Sequence, residues 1–476
     1  MRWYWIVLLI LPPLIAPFAL PPFGQRLVTL VGLYALMGVG YQWVFGQLGA
    51  LNLAQGALFG VGAYTVALTA PAVGPMAFPA AMLAAVVVAA VAVVPILRLQ
   101  SHYFALATLA LASLVGLAAV HAEGITGGAN GLVGFGISLP RGATLLAGVW
   151  CCLIAAVLAQ ASFFAGRHSD TARLIREAPL VAATLGIDVR RWRFVMFVAG
   201  GALAGLAGGG AAAVSGVVSP DTTAFPVMLL CLTSVVLGGA RHPMGAVLGA
   251  AIAVCLPEVF RELNGAWLLA YAVATLAVVR FAPQGIAGLF DPVPVIPLPQ
   301  MPRRLMPSTN GRRLTLHDVS KRFGGVEALS GVSLAVGRGE IVGLIGPNGS
   351  GKTTVLNVIS GLERSDGGTI DLDGRHIERL PAHVIARAGI ARTFQTPLPG
   401  EDRLTGLARA VATGASFVLF DEPMAGANAR EHAEIVALLG HLRTAGYGVL
   451  IVDHDTALLE KICDRMIALD RGRVVA

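Results

Sequence analysis

The sequence predicts an all-α polytopic membrane domain over residues 1–282, then an α/β phosphate-loop domain over 313–476. Three observations carry this. Residues 1–282 are a succession of long apolar segments. Residues 283–312 hold seven prolines, Pro283 to Pro307, and end at a cluster from Arg303 and Arg304 to Arg312, as an extended linker would. Beyond it, short apolar runs alternate with charged helical stretches, and one run leads into a glycine-rich loop. Composition agrees. The 476 residues are 56% hydrophobic and only 13% charged, against about 25% charged in soluble domains.

Taken in order, apolar segments lie near 4–20, 27–46, 52–70, 78–97, 103–121, 143–165, 194–214, 225–238, 244–260 and 266–281. A spanning helix needs about 20 apolar residues. Several segments are short or broken by Gly and Pro, so eight to ten spans are expected. The first, after Met1-Arg2, resembles a signal peptide only superficially and reads as a retained helix. Small residues such as Gly200-Gly201-Ala202 and Gly205 to Gly208 suit close helix packing in lipid.

The break at 167–193 carries six arginines against Asp170, Glu177 and Asp188, which places it in the cytoplasm. Leu180, Val181 and Leu185 would line one side of a short helix there. That helix either docks on a partner domain or is simply solvated. The net charge of +7 follows the same positive-inside rule, and nucleic-acid binding is not implied. The five cysteines show no metal spacing and read as buried free thiols.

The glycine-rich loop is Gly346-Pro347-Asn348-Gly349-Ser350-Gly351-Lys352-Thr353, with Thr354 following. This is the phosphate-loop spacing. Glycines let backbone N–H groups approach a triphosphate; Lys352 reaches its outer phosphates; the Thr353 hydroxyl suits Mg²⁺. Ser416 to Pro423 is a buried strand ending in Asp421, a Mg²⁺ ligand type, and Glu422, a base type. Leu450-Ile451-Val452-Asp453-His454-Asp455 reads as another strand, ending in His454. Gln395 follows Ile390 to Phe394 and suits sensing of Mg²⁺ or of the attacking water. Phe323 suits stacking on adenine.

With these residues in this order, the C-terminal part resembles the ATP-binding subunit of an ABC transporter. The resemblance implies roles: Phe323 as stacking aromatic, Gly346–Thr353 as Walker A, Gln395 as Q-loop, Asp421 and Glu422 as Walker B, Ala427-Asn428 as D-loop, and His454 as switch. The stretches 389–395 and 421–428 are most similar to branched-chain amino acid importers. The membrane half resembles the permease of that importer family in Gly60 to Thr65, Tyr103 to Leu109, Thr126 to Gly131, Val236 to Gly239 and Pro243 to Gly245. Arg176-Glu177 through Gly186-Ile187 resembles the coupling motif, which favours a docking helix at 167–193. The resemblance implies ATP and Mg²⁺ as ligands and a second permease subunit. It also implies a second ATPase with an intact signature, an extracytoplasmic binding protein, and a multi-pass place in the lipid of a bacterial inner membrane. Soluble ABC proteins of DNA repair are excluded by the spans, and an exporter fits the permease half poorly.

One departure matters. Only 26 positions separate Gln395 from Asp421, where related ATPases carry a helical subdomain and a signature motif. Gly400-Glu401 and Ala408-Arg409 resemble a remnant of that signature. Three readings stay open: an asymmetric transporter with an intact partner ATPase, a decayed fusion, or an ATP-responsive membrane protein that no longer pumps.

Overall fold

The computed structural model describes residues 3–99, 101–135, 139–259, 266–290, 313–395 and 403–475. The chain forms two compact bodies: Met1–Arg176 with Arg190–Val295, and Glu177–Val189 with Ile296–Ala476.

The first body is helical: α1 (Trp3–Ala19), α2 (Pro22–Tyr41), α3 (Gln55–Val73), α4 (Ala77–Ile96), α5 (Ser101–His121), α6 (Glu123–Thr126), α7 (Gly142–Phe163), α8 (Arg167–Glu177), α9 (Pro179–Thr184, which belongs to the second body), α10 (Val189–Ser215), α11 (Phe225–Gly238), α12 (Gly245–Val259), α13 (Ala266–Phe281) and α14 (Gly285–Phe290). Each of the ten expected apolar segments coincides with a helix. Among the described residues, five helical stretches are long and apolar enough to cross a membrane: Pro22–Gly46, Gln55–Ile96, His102–His121, Gly142–Phe163 and Val189–Ser215. Trp3–Ala19, Phe225–Gly238 and Gly245–Val259 are shorter and apolar. One feature lies outside the all-α expectation: β1 (Leu132–Val133) and β2 (Val217–Val218) pair antiparallel.

Helix α10 packs by its glycines. A Cβ on Gly208 would fall on the Phe59 carbonyl of α3, and one on Gly205 would strike the Ala85 side chain of α4. Lipid supplies no hydrophobic drive between helices, so such close backbone approach is what joins them. A buried amide hub adds to it. Gln42 sits at the start of a π-helical turn, Gln42–Gly46, that extends α2. Its Nε2 donates to the carbonyls of Gly239 (2.9 Å) and His242 (3.0 Å). Its Oε1 accepts from Gln160 Nε2 at 3.1 Å. Nearby in sequence, Gln55 Nε2 donates to the Gly200 carbonyl at 3.0 Å, and Asn52 Nδ2 to Gln55 Oε1 at 3.2 Å. All four side chains are fully buried, and each unmade bond in such a place costs several kcal/mol.

The second body is α/β. Its strands are β3 (Arg313–Phe323), β4 (Val326–Gly337), β5 (Ile341–Ile345), β6 (Gly367–Leu372), β7 (Arg375–His376), β8 (Ile390–Arg392), β9 (Phe417–Asp421), β10 (Gly448–Val452), β11 (Arg465–Asp470) and β12 (Arg473–Val475). Its helices after α9 are α15 (Lys352–Ile359), α16 (Ala382–Ala388), α17 (Arg403–Ala412), α18 (Ala429–Thr444) and α19 (Thr456–Ile462). One sheet runs β12-β11-β5-β10-β9-β8, parallel except for the β11–β12 pair. The other, β4-β3-β6-β7, is antiparallel. The central strands β5, β9 and β10 are apolar almost throughout and buried, as a sheet covered on both faces requires. The extended linker expected from 283 needs correcting at its start: Gly285–Phe290 is helix α14, with Gly285 and Ala287 buried in the first body. From 291 onward the expected linker lies outside the described residues, as do Gly400 and Glu401. Between β8 and β9 the described chain holds one helix, α17. Its Leu407, Ala410 and Val411 join the core formed with Val418, Phe420 and Leu439.

The short segment of the second body, 177–189, lies on α16. Arg387 Nε donates to the Gly186 carbonyl at 2.9 Å, and His383 Nε2 is 3.4 Å from Asp188 Oδ2. The expectation for its apolar side needs correcting. Val181 is buried and Leu185 half-buried, but Leu180 is 52% exposed. The buried positions beside Val181 are Ala182 and Thr184, so the inward face is made of smaller residues than apolarity suggests.

Candidate nucleotide site

Parallel strands bring their C-terminal ends together, and the candidate residues sit there. The glycine-rich loop runs from β5 into α15. Its conformation is set at two glycines. Gly346 (φ +151°) has no room for a Cβ beside the Leu469 carbonyl, and Gly351 (φ +104°) would place one 2.6 Å from the Ala328 carbonyl. The loop fits an anion. The buried Ser350 Oγ has no hydrogen-bond partner, and the first N–H groups of α15 open onto the loop. Pro347, Asn348 and Gly349 are exposed at its tip, Thr353 is exposed on α15, and Thr354 is half-buried. Lys352 is folded back, its Nζ donating to the carbonyls of Gly346 (2.7 Å) and Pro347 (2.9 Å).

Asp421 ends β9 and is buried. Burial pushes its carboxyl above the ordinary range, and the neighbouring Arg392 guanidinium opposes that. Glu422 follows with φ +48°, a left-handed backbone that a non-glycine residue adopts at some cost. Its N–H donates to the Val452 carbonyl at 2.8 Å. The turn aims its carboxylate between two partners. Gln395 Nε2 donates to Oε2 at 2.5 Å, and His454 Nε2 lies 2.8 Å from Oε1. Gln395, Glu422 and His454 therefore form one cluster. Asp453 braces it, accepting from the N–H groups of Met424 (3.1 Å) and His454 (2.7 Å).

Phe323 stands apart, at the end of β3, with Lys321 Nζ 5.1 Å from its ring centroid. Asn428 caps α18 and forms a capping box with Glu431. Glu177 ends α8 and is exposed, while Gly186 (φ +85°) gives its carbonyl to Arg387. Sequence reasoning passed over Arg392, Asn357 and Asp453. Arg392 did leave a signal: an arginine within the short strand Ile390-Ala391-Arg392 must find buried partners.

Comparison with known proteins decides the larger frame. Residues 25–282, more than half of the chain, match the family described as "Branched-chain amino acid transport system / permease component". The chain belongs to that permease family. Residues 329–399 of this permease-family chain also match the family described as "ABC transporter". It is therefore a membrane permease fused to a nucleotide-binding ABC ATPase domain.

The ATPase half is similar to BraF of Pseudomonas aeruginosa, named a high-affinity branched-chain amino acid transport ATP-binding protein. The identity is 29% over 229 residues, covering 34% of this chain and 90% of BraF. LivG of Salmonella typhimurium, named for the same transport, is 31% identical over 229 residues, with the same coverage. LptB of Escherichia coli K12, named for lipopolysaccharide export, is 31% identical over 214 residues, covering 34% of this chain and 89% of LptB. The ATPase half is thus similar to proteins named for different cargoes. In each case nearly a whole relative is matched by about a third of this permease-family chain, so the relatives carry residues that it lacks.

Proposed function

We propose that this chain is the permease and ATP-binding subunit of an importer, coupling ATP binding and hydrolysis to uptake of branched-chain amino acids or related compounds. Urea, amides and aromatic acids are the related classes. One observation carries the reading: the Gln395–Glu422–His454 cluster lies in the same α/β body as a phosphate loop and a buried Asp421, on a chain whose other half is a permease. The domain limits of the reading are 1–282, 283–312 and 313–476.

In this reading Phe323 stacks on adenine. Lys352 leaves the loop carbonyls and turns to the outer phosphates, and Ser350 and the α15 N–H groups donate to them. Thr353, Asp421 and Gln395 would hold Mg²⁺, which would supply charge neutralisation at the phosphates. Glu422 orients water and accepts its proton, with His454 holding that carboxylate in place. The segment from Glu177 to Gly186, seated on α16, carries the resulting motion towards the membrane domain. A second permease, a second ATPase with an intact signature and an extracytoplasmic binding protein complete the assembly in a bacterial inner membrane, with the ATPase domain cytoplasmic.

The short interval from Gln395 to Asp421 supports a second reading, a fusion that binds ATP without pumping. Reconstitution decides between them. Leucine-loaded binding protein is expected to stimulate ATP hydrolysis and uptake by the complex, and Lys352→Ala to abolish uptake. Normal uptake by Lys352→Ala would remove this site from the mechanism. Absence of any Lys352-dependent turnover in a folded complex with an active partner ATPase would favour a decayed or non-pumping protein, and retained ATP binding would then single out the second reading.

A further inference from the structure

The chemistry above leaves Arg392 without a role, yet it is among the most constrained side chains of the site. It ends β8, and its side chain is 2% exposed. One arm of the guanidinium, Nη1, donates to Asn357 Oδ1 at 2.6 Å and to Ser360 Oγ at 3.2 Å. The other, Nη2, donates to Asp421 Oδ2 at 2.9 Å. The Phe394 ring lies with its centroid 5.1 Å from the guanidinium carbon. A cation this deep persists only where partners replace its water.

The partners matter more than the burial. Asn357 lies on α15, four residues after Thr353 and so on the same face of that helix. Asp421 ends β9, and Arg392 itself lies three residues before Gln395. One rigid fork therefore spans the phosphate-loop helix, the strand leading to Gln395 and the strand carrying Asp421. A lysine would bring a point charge and no fork, and could not reproduce both arms.

We propose that Arg392 is a positioning residue for the Mg²⁺-facing carboxylate: it holds Asp421 by one oxygen and ties it to the helix that carries Thr353. The inference rests on the reading that Asp421 and Thr353 hold Mg²⁺. It assigns Arg392 no contact with nucleotide. Its effect is on the spacing between two ligand groups that come from different elements.

The test uses the full chain in lipid nanodiscs and a fluorescent ATP analogue, titrated with MgCl₂. Removing a group that orients a metal ligand typically lowers metal affinity roughly 10- to 100-fold. Arg392→Lys is expected to raise the half-saturating Mg²⁺ by that order and to leave binding of the metal-free analogue unchanged. Asn357→Ala keeps the Arg392–Asp421 pair and is expected to shift Mg²⁺ in the same direction by less. If Arg392→Lys fails to fold, Asn357→Ala decides alone. Equal loss with and without Mg²⁺ would mean a merely structural role and would overturn the proposal. An unchanged Mg²⁺ requirement in the folded variants would overturn it too, provided that Asp421→Asn shifts it. If Asp421→Asn also leaves the requirement unchanged, the Mg²⁺ reading of Asp421 fails first and takes the inference with it.

Discussion

Replacing Glu422 by Gln is expected to separate ATP binding from ATP hydrolysis if Glu422 is the proposed base. The carboxylate offers one oxygen to Gln395 and the other to His454. An amide offers one oxygen and one NH₂: the oxygen still accepts from Gln395, and the NH₂ can donate to His454 Nε2 once the imidazole carries its proton on Nδ1. The cost to the fold is therefore at most about 1 kcal/mol, with His454 48% exposed and open to water. The fold tolerates that. The chemical step does not, because an amide cannot accept the proton of the attacking water. General-base catalysis typically contributes 10²–10⁴-fold, equivalent to about 3–5 kcal/mol of barrier at 1.36 kcal/mol per decade. The assay is phosphate release by the reconstituted complex, with the proposed partner ATPase inactivated at its own base, beside binding of a fluorescent ATP analogue. Binding is expected to be equal or tighter, because a negative charge beside the triphosphate is gone. Turnover within about threefold of the parent, less than 1 kcal/mol of barrier, would show that Glu422 is not the base.

Two further outcomes follow from packing and burial. Gly208→Ala places a methyl on the Phe59 carbonyl and forces α10 from α3. Overpacking of this kind costs about 1–3 kcal/mol, so thermal stability in detergent is expected to fall, whereas Gly148→Ala, with open space at its Cβ, is neutral; equal melting of the two would refute the close approach. Burial, with Asp464 adding to it, pushes the Cys463 thiol up to about 11 from an ordinary 9.0. The neutral form is favoured on folding, so its contribution to stability is full below pH 9 and is lost as pH rises through 11. At pH 8 only about one thiol in a thousand is thiolate. Iodoacetamide is therefore expected to modify the Cys463 peptide far more slowly in the native chain than after unfolding, as read by mass spectrometry. Equal rates would refute the burial argument.

What the sequence discloses and what it hides follow a physical line. Spans were legible because lipid demands a certain length of apolar residues, whatever their partners. The phosphate loop was legible because its glycines serve backbone geometry that admits few substitutes. Features that depend on a partner distant in sequence were not legible. Leu180 is apolar and faces outward, since hydrophobicity does not say which side of a short helix is covered. Helix α10 begins at Val189 and not near 194, because the arginines Arg190, Arg191 and Arg193 continue the helix beyond its apolar part. The β1–β2 pair is two residues long on each side and has no periodicity to detect. The role of Arg392 depends on Asn357, Ser360 and Asp421, 29 to 35 residues away, which meet it only in the fold.

The amide hub of the membrane body also sets a timetable. Gln42 lies near the start of the chain, Gln160 is 118 residues downstream, and the Gly239 carbonyl is 197 residues downstream. A ribosome adds roughly 5–20 residues per second. The Gln42 side chain is therefore made roughly 10–40 s before the residue whose carbonyl receives its N–H. Through that interval the second helix carries a polar group that bare lipid penalises by several kcal/mol. Until then the insertion machinery or water at the bilayer surface must shelter the side chain, and α2 takes its final seat only once α11 and the turn after it have been synthesised.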